Sequence, residues 1–362
     1  MSGKVYTVIG LMSGTALDGI DAALIRTDGQ GFVEPLSFLT VPYEPEVREA
    51  LRACLGLSAD KDGRVARVEA LMTKAHADTV KNLMALAHVT AREVDLIGFH
   101  GQTIFHDPAN GFTWQIGDGA ALARETGIDV VNDFRTADVK AGGQGAPLIP
   151  VYHAALARSM PKPVAILNLG GVGNITFIGE DENILAFDTG PGNALINDWV
   201  RKHTGEELDR DGVYALKGKV DGACLSLLLQ NPFFALKPPK SLDRDAWDIS
   251  FLKGLSLEDG AATLTAFTVQ SVAQCLNHLP QKPLAWYVTG GGRLNPAIMQ
   301  GLRDALNGPV HDVDERQWNG DALEAQGFAY LAVRSQQGLP LSFPGTTKVP
   351  RPLSGGVLWR HP

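Results

Sequence analysis

The stretch Gly10-Leu11-Met12-Ser13-Gly14-Thr15-Ala16-Leu17-Asp18-Gly19-Ile20-Asp21 decides the fold of this chain. It joins two apolar, β-prone runs at residues 5–9 and 22–25. Its glycines and the hydroxyls of Ser13 and Thr15 predict a turn whose backbone N–H groups face outward. Such a turn can bind an anion, because glycine permits close approach and positive φ. An ordinary β-hairpin with a glycine-rich turn explains the same pattern equally well.

Length, charge and cysteine content set the broad class. A chain of 362 residues is longer than most single domains, so two domains are expected. A net charge of −8 without a dense basic run argues against nucleic acid as a partner. Three widely spaced cysteines are typical of a reduced cytosolic protein. No run approaches the roughly eighteen apolar residues of a membrane span. We therefore expect a cytoplasmic protein that does not bind membranes.

The opening pattern recurs after the linker-like segment Met160–Pro163. A strand-prone run at 164–169, a glycine turn at 170–174 and a second run at 175–178 repeat the strand–turn–strand order. Two such halves indicate a duplicated α/β domain with a ligand between the two turns. We expect an N-terminal domain over residues 1–160 and a C-terminal domain over 161–335. The tail at 336–362 is expected to pack back on the first domain.

Asp188 is the strongest catalytic candidate. It follows the apolar run at 183–187, and ligand sites in α/β folds collect where strands end. Pro191 is predicted to begin the next helix, whose N-terminal dipole favours a nearby anion. The alternative is that Asp188 or Thr189 merely caps that helix.

The triple glycine Gly290–Gly292 follows a predicted strand and precedes a helix that should begin at Asn295–Pro296. Three consecutive glycines exceed what a turn needs, which indicates a flat ligand against bare backbone. A tight strand-to-helix turn explains them equally well. No G-x-x-x-x-G-K-[ST] motif occurs, so a P-loop is excluded.

Several polar residues elsewhere have both a structural and a functional interpretation. His100 and Gln102 end a predicted strand, and no third ligand completes a zinc motif. Asp133 and Arg135 read either as a structural ion pair or as a sugar-binding pair. In a predicted helix over 319–332, Asp321 and Glu324 share a face of the first turn, which usually reflects helix-start electrostatics only.

Taken together and in this order, the motifs resemble those of the anhydro-N-acetylmuramic acid kinase family. They run from residue 10 to about residue 332, so the resemblance covers nearly the whole chain. The matching segments are residues 10–21, 100–103, 115–118, 133–135, 142–148, 168–171, 188–193, 290–292 and 321–325.

The resemblance implies an α/β fold of two related actin-like (ribonuclease H-like) ATPase domains, with a nucleotide and sugar cleft between them. The implied ATP-binding residues are Gly14, Thr15, Ala16, Leu17, Asp18, Gly19, Ile20, Asp21, Gly170, Gly171, Gly173, Asn174, Gly290, Gly291 and Gly292. Mg²⁺ should accompany ATP, largely through water, with Asp18 or Asp21 nearby. The family usually has serine where this chain has Ala16, so one hydroxyl contact to phosphate is in doubt.

The resemblance also implies a reaction. The family opens 1,6-anhydro-N-acetylmuramic acid with water while phosphorylating it to N-acetylmuramic acid 6-phosphate, in cell-wall recycling. Asp188 matches the family's base, which deprotonates the attacking water. Glu324 matches a second acidic residue near the sugar, and the remaining substrate-binding assignments are His100, Gln102, Asp133 and Arg135. A homodimer is expected.

Two other functions stay open. A conventional hexose kinase of the same superfamily would use Asp188 to deprotonate a sugar hydroxyl and would consume no water. A non-catalytic, chaperone-like ATPase module would need an appended peptide-binding domain, and too few residues follow Tyr330 to form one.

Overall fold

Two α/β units make up the chain. The computed structural model describes residues 4–14, 16–242 and 247–362. Contacts divide the chain into unit 1, Met1–Ser159 with Ala322–Pro362, and unit 2, Met160–Asp321. The linker predicted at Met160–Pro163 therefore lies where unit 1 passes into unit 2.

The described residues form twelve strands and twelve α-helices. The strands are β1 (Tyr6–Ser13), β2 (Gly19–Thr27), β3 (Val33–Pro42), β4 (Leu96–Asp107), β5 (Phe112–Ile116), β6 (Val130–Asn132), β7 (Val164–Leu169), β8 (Val172–Ile178), β9 (Ile184–Pro191), β10 (Ala285–Thr289), β11 (Val310–Asp312) and β12 (Val357–Trp359). The helices are α1 (Pro45–Arg52), α2 (Arg64–Leu86), α3 (Gly119–Thr126), α4 (Thr136–Lys140), α5 (Pro150–Leu156), α6 (Ala194–Thr204), α7 (Val213–Lys217), α8 (Gly222–Leu229), α9 (Leu257–Gln274), α10 (Pro296–Leu306), α11 (Leu323–Gln336) and α12 (Pro344–Thr347). None of these helices is both long and apolar enough to cross a membrane.

The sheets of the two units share one strand order. In unit 1 the order is β12-β6-β4-β1-β2-β3, and β5 pairs with β4. In unit 2 it is β11-β10-β7-β8-β9. In each unit the first three strands form an antiparallel meander, and two later strands, β4 and β6 in unit 1 and β10 and β11 in unit 2, run parallel to the first. The predicted duplication and the actin-like α/β fold class are confirmed.

Strand pairing extends β1 and β4 beyond their apolar runs. β1 continues to Ser13, because Met12 pairs with Asp21 of β2. β4 continues through His100 and Gln102 as far as Asp107, and it pairs there with β5. The turn that follows β1 is thus residues 14–18, shorter than the opening stretch suggests. Backbone hydrogen bonding in the ladder, more than side-chain hydrophobicity, sets these ends.

Helix α11 packs directly on the unit 1 sheet. A Cβ on Gly10 of β1 would lie 1.8 Å from the carbonyl oxygen of Ala325, and one on Gly98 of β4 would lie 2.1 Å from that of Phe328. Only glycine allows this approach. The unit boundary therefore falls at Ala322, whereas the boundary predicted from the sequence fell at residue 335.

Helix α5 does not begin at the first proline that precedes it, and the predicted helix start at Pro191 is wrong. Helix α5 begins at Pro150 and not at Pro147, because Asp138 Oδ1 accepts a hydrogen bond from the backbone N–H of Gly145 (2.6 Å) and holds the preceding loop in an irregular course. Pro191 ends β9 and pairs with Val172, a position that an edge strand tolerates. Helix α6 begins only at Ala194.

Candidate active site

The first glycine turn connects β1 to β2 in unit 1. Its described residues are Gly14 and Ala16 to Asp18, and Thr15 lies outside the described residues. Gly14 and Ala16 border open space or solvent, whereas the side chains of Leu17 and Ile20 are buried in the core. Leu17 and Ile20 can therefore offer only backbone groups to a ligand. Gly19 is required by packing, because a Cβ there would lie 2.6 Å from the carbonyl oxygen of Val41.

Asp18 and Asp21 have different surroundings. Asp18 is exposed, and its Oδ1 accepts a hydrogen bond from the N–H of Gly19 (3.1 Å). Asp21 lies in β2, where its Oδ1 accepts a hydrogen bond from the Thr40 hydroxyl (2.6 Å). Among the described residues, no group of three or more His, Cys, Asp or Glu side chains is arranged to hold a metal ion. This donor set fits a hydrated Mg²⁺, which typically binds through one or two carboxylates, water and phosphate oxygens.

Gln102 belongs to a buried polar chain in unit 1. Its Oε1 accepts a hydrogen bond from Ser13 Oγ (2.7 Å), and Ser13 Oγ accepts one from the Tyr43 hydroxyl (2.8 Å). Gln102 Nε2 donates to the carbonyl of Thr103 (3.3 Å), and its side chain is fully buried. The amide therefore joins the end of β1, next to the glycine turn, to β4. The assignment of Gln102 to substrate stays a prediction.

His100, Arg135 and Glu324 come together in unit 1. The His100 Nδ1–H donates to the carbonyl of Gly101 (2.8 Å), and Nε2 accepts from Arg135 Nη2 (2.9 Å). Burial, then the Arg135 cation, lowers the pKa of His100 well below its usual value. Burial also lowers the pKa of Arg135 to about 10, against the opposing effects of Glu324 and Asp138, so the guanidinium is charged at neutral pH. A neutral imidazole and a cation are thus fixed side by side.

One backbone contact ties this polar cluster to a neighbouring loop. Arg135 Nη1 donates to the carbonyl of Gly145 (2.7 Å), which ties the guanidinium to the glycine-rich loop at 141–147. Glu324 is exposed in the first turn of α11. Asp133, two residues before Arg135, has φ of 53°, a left-handed conformation that Asp tolerates better than most residues. Asp133 forms no hydrogen bond to the other residues that the structure describes, and its role in binding sugar stays a prediction.

The second glycine turn and the triple glycine lie against each other in unit 2. Gly170 and Gly171 form the turn, and their carbonyls accept hydrogen bonds from the N–H groups of Asn193 (2.7 Å) and Gly192 (2.9 Å). A Cβ on Gly291 would lie 3.4 Å from Asn193 Nδ2. The turn, the triple glycine and the N-terminus of α6 therefore form one backbone-lined surface. Such a surface suits an anionic, flat ligand.

Gly173 and Asn174 lie in β8, beyond the turn in which the sequence placed them. Gly173 pairs with Gly190, and Asn174 pairs with Asp188. Opposite residues of an antiparallel pair share a face, so Asn174 lies beside the candidate base. Contact of Gly173 and Asn174 with ATP stays a prediction.

Arg293 anchors the triple-glycine loop. Its guanidinium donates to Asp321 Oδ1 (2.8 Å), to Asp314 Oδ2 (3.4 Å) and to the Gly290 carbonyl (3.2 Å), and its side chain is only 3% exposed. Asp321 precedes α11, so its predicted place in the first turn of that helix is wrong, and it does not share a helical face with Glu324. The ion pair with Arg293 holds Asp321 in unit 2.

Asp188 is held within β9 of unit 2. Its backbone N–H donates to the carbonyl of Lys240 (2.9 Å), and its Oδ2 accepts a hydrogen bond from the N–H of Leu242 (2.7 Å). Neither Asp188 nor Thr189 caps α6, because the residue at the N-cap is Asn193. The alternative that the sequence left open is therefore excluded by geometry.

Burial makes Asp188 an unusually basic carboxylate. Desolvation raises its pKa to about 7, and the Leu242 N–H and the Lys240 cation oppose that rise. The residue is only partly shielded from solvent, so water can reach it. A carboxylate with a pKa near neutrality suits general-base chemistry, because it is both ionised and able to take a proton at physiological pH.

The sequence did not point to Lys240, Leu242, Asn193 or Arg293. Leu242 acts through its backbone, and its side-chain type carries no signal for that role. Asn193 is the last residue of the matching segment 188–193, and its place in that motif was available as a signal. Lys240 lies in Lys237-Pro238-Pro239-Lys240, where nothing distinguishes a buried lysine from an exposed one.

A family model covers nearly the whole chain. The family model for anhydro-N-acetylmuramic acid kinase matches residues 6–361. In backbone, the chain is similar to a solved structure of hexokinase from Schistosoma mansoni complexed with glucose, with a TM-score of 0.45 and 10% identity over 90% of this chain and 85% of that chain. That similarity is too distant to bear on function.

Curated relatives match over nearly their full length. An anhydro-N-acetylmuramic acid kinase from Rhizorhabdus wittichii is 55% identical over 97% of this chain and 98% of that protein. One from Rhodospirillum rubrum is 52% identical over 99% of this chain and 95% of that protein. With a family model and relatives of this identity spanning both units, the chain belongs to the anhydro-N-acetylmuramic acid kinase family.

Proposed function

We propose that the protein is an ATP-dependent kinase that hydrolytically opens 1,6-anhydro-N-acetylmuramic acid and phosphorylates it to N-acetylmuramic acid 6-phosphate, in peptidoglycan recycling. The observation that carries the proposal is the Asp188 carboxylate, held by the Leu242 N–H with a pKa of about 7, in a chain of this family.

In the proposed reaction Asp188 takes a proton from water as the water oxygen bonds to the anomeric carbon. The bond from that carbon to the bridging 6-oxygen breaks, and the 6-oxygen bonds to the γ-phosphorus of ATP. The bond from the γ-phosphorus to the β,γ-bridging oxygen breaks, and ADP leaves. A base is needed because neutral water is a weak nucleophile, and a positioned base typically contributes about 10²–10⁴-fold.

The glycine surface of unit 2 supports the ATP assignment. The turn at Gly170–Gly171 and the triple glycine allow close backbone approach by phosphates and a flat base, beside the N-terminus of α6. The turn at Gly14–Asp18 is assigned to the phosphates as well. We assign Mg²⁺ to the neighbourhood of Asp18 and Asp21, where its positive charge would offset the negative charge of the phosphates.

The cluster in unit 1 supports the sugar assignment. Arg135 offers a charged fork beside a neutral His100, and Glu324 adds a carboxylate. Such a set can bind both hydroxyl and carboxylate groups of a sugar acid. We also infer a homodimer in the cytoplasm from the family resemblance. The free cysteines Cys54, Cys224 and Cys275 are compatible with a reducing cytoplasm.

The experiment is turnover in ¹⁸O-labelled water with ATP, Mg²⁺ and the anhydrosugar. Mass spectrometry of the 6-phosphorylated product should place one ¹⁸O at carbon 1. Because reducing sugars exchange this oxygen, the product is trapped early and compared with unlabelled product held equally long in the same water. Phosphorylation of an ordinary hexose without uptake of water, and none of the anhydrosugar, would favour a conventional hexose kinase.

A further inference from the structure

A short segment of unit 2, residues 240–242, forms hydrogen bonds with both the backbone and the side chain of Asp188. The carbonyl of Lys240 accepts the backbone N–H of Asp188 at 2.9 Å, and the N–H of Leu242 reaches Asp188 Oδ2 at 2.7 Å. The segment belongs to no helix or strand. Because no helix or strand holds these residues, their position depends on side-chain anchors as well as on these two hydrogen bonds.

The Lys240 side chain provides such an anchor. It is 6% exposed, and Nζ donates to the carbonyls of Phe233 (3.0 Å) and Phe234 (3.3 Å). Nζ also lies 4.3 Å from the ring centroid of Phe233. A buried ammonium is costly unless hydrogen bonds and a counter-charge replace its water shell. The carbonyls and the ring meet part of that need, and Asp188 is the nearby carboxylate.

We propose that Lys240 is a positioning residue for the reaction: its buried ammonium fixes residues 240–242 against Phe233 and Phe234 and so aims the Leu242 N–H at the Asp188 carboxylate. The proposal rests on Asp188 as the base of the proposed function. Lys240 touches neither substrate nor nucleotide in this role, and acts through Leu242.

Two other titratable groups, Cys275 and His278, lie near Lys240. Cys275 and His278 line the same small cavity as Lys240, together with Thr189. Burial raises the pKa of the Cys275 thiol, so the group stays neutral. His278 Nε2 donates to the Phe234 carbonyl (2.8 Å), the same oxygen that Lys240 reaches. Among these described neighbours, the ionised Asp188 carboxylate is therefore the negatively charged group that can stabilise the Lys240 ammonium.

The electrostatics of the pair point the same way as its geometry. Both the Leu242 N–H and the Lys240 charge lower the pKa of Asp188 against the effect of burial. Burial in turn lowers the pKa of Lys240, and the Asp188 carboxylate opposes that fall. Removing the ammonium should therefore weaken both effects that keep Asp188 ionised.

The test compares Lys240→Met with Lys237→Met, the same change at an exposed lysine three residues earlier. The Asp188 carboxyl is titrated by ¹³C NMR in aspartate-labelled protein, and its resonance is identified by its loss in Asp188→Asn. Lys240→Met should raise the pKa of Asp188 by about one unit. It should lower kcat roughly ten- to a hundredfold while KM for ATP stays near that of the parent. Lys237→Met should change neither.

Controls separate this inference from the proposed function. Lys240→Arg keeps a cation, so the pKa of Asp188 in this variant should lie between its values in the parent and in Lys240→Met. If Lys240→Met does not fold, Lys240→Gln takes its place. A folded Met or Gln variant whose Asp188 pKa equals that of the parent overturns the positioning role, even if Asp188→Asn is inactive. Near-normal turnover of Asp188→Asn overturns the base assignment instead, while the NMR titration still decides whether Lys240 positions the carboxyl.

Discussion

At the scale of single residues, the chemistry depends on what surrounds a side chain more than on its type. Asp188 and Asp18 are both aspartates that follow a β-strand pattern. Asp18 is exposed, whereas Asp188 is partly shielded in β9, and desolvation raises the Asp188 pKa to about 7. A carboxylate with such a pKa suits a base at neutral pH.

The first prediction concerns pH. Asp188 must be ionised to accept a proton, so kcat/KM for the anhydrosugar should fall about tenfold per unit below an inflection near pH 7. Asp188→Asn should lower kcat by about 10²–10⁴-fold without loss of nucleotide binding. Initial rates from pH 5 to 9 measure both. An acid limb that breaks near pH 4 would contradict the raised pKa.

The same shift predicts a stability effect. The folded-state pKa of Asp188 lies above its unfolded value of about 3.9, so the folded chain binds the extra proton between these limits. Its contribution to stability is therefore lost as pH rises from about 4 to 7. Asp188→Asn should raise Tm relative to the parent more at pH 8 than at pH 5. An equal shift at both values argues against a desolvated carboxyl.

A second substitution tests the N–H donors of the Arg135 guanidinium. Arg135→Lys keeps the charge but cannot donate to both His100 and the Gly145 carbonyl in the present geometry. We expect KM for the anhydrosugar to rise about ten- to a hundredfold, with a small effect on KM for ATP. Arg124→Lys, at an exposed site in α3, is the matched control. Equal rises in both KM values would indicate general loosening instead.

At the scale of elements, glycine serves close packing as much as turns. Gly10 and Gly98 lie within strands, where they let the backbone of α11 rest on β1 and β4. This contact also places Glu324, at the start of α11, in the same unit as Arg135. An element at the far end of the sequence thus completes the first unit.

Gly98→Val tests this packing. The added Cβ would lie 2.1 Å from the Phe328 carbonyl, a backbone atom that cannot move alone. We expect a loss of about 3 kcal/mol or more in the free energy of unfolding, since overpacking typically costs about 1–3 kcal/mol even against side chains. Gly222→Ala, at a site where a Cβ meets nothing within 4 Å, is the control. A Tm for Gly98→Val within a degree of the parent would refute the close contact.

At the scale of the whole molecule, duplication gives two glycine turns that begin two units of one strand order. If both turns bind phosphates, nucleotide should stabilise the folded chain by mass action. At a hundredfold excess over Kd the gain is about 2.7 kcal/mol. The Mg²⁺ donors in the chain form no cage of their own among the described residues, so metal alone should add little.

The corresponding measurement is thermal unfolding with MgCl₂ alone, with a non-hydrolysable ATP analogue plus EDTA, and with both. The combination should raise Tm most, and MgCl₂ alone should leave Tm within about a degree of its value without ligand. A large shift with MgCl₂ alone would show a preformed metal site and overturn the water-mediated assignment.

Much of this protein followed from local sequence. The strand–glycine–strand order, its repetition, the N-cap of α10 at Asn295 and the linker at Met160–Pro163 are set by residues close together in the chain. The order of motifs likewise indicated the family. The ends of strands were less well predicted, because pairing with a partner strand carries β1, β4 and β9 past their apolar runs.

Only the tertiary structure decided which groups meet. Leu242 lies 54 residues from Asp188, and Arg135 lies 35 residues from His100. Helix α11 belongs to the first unit although it follows the whole of the second. Local propensity acts over a few residues, whereas desolvation and hydrogen bonding between distant segments depend on packing of the complete chain. The sequence by itself therefore determined the fold class and the candidate base, and the tertiary structure determined the partners and the pKa that suit this base to its chemistry.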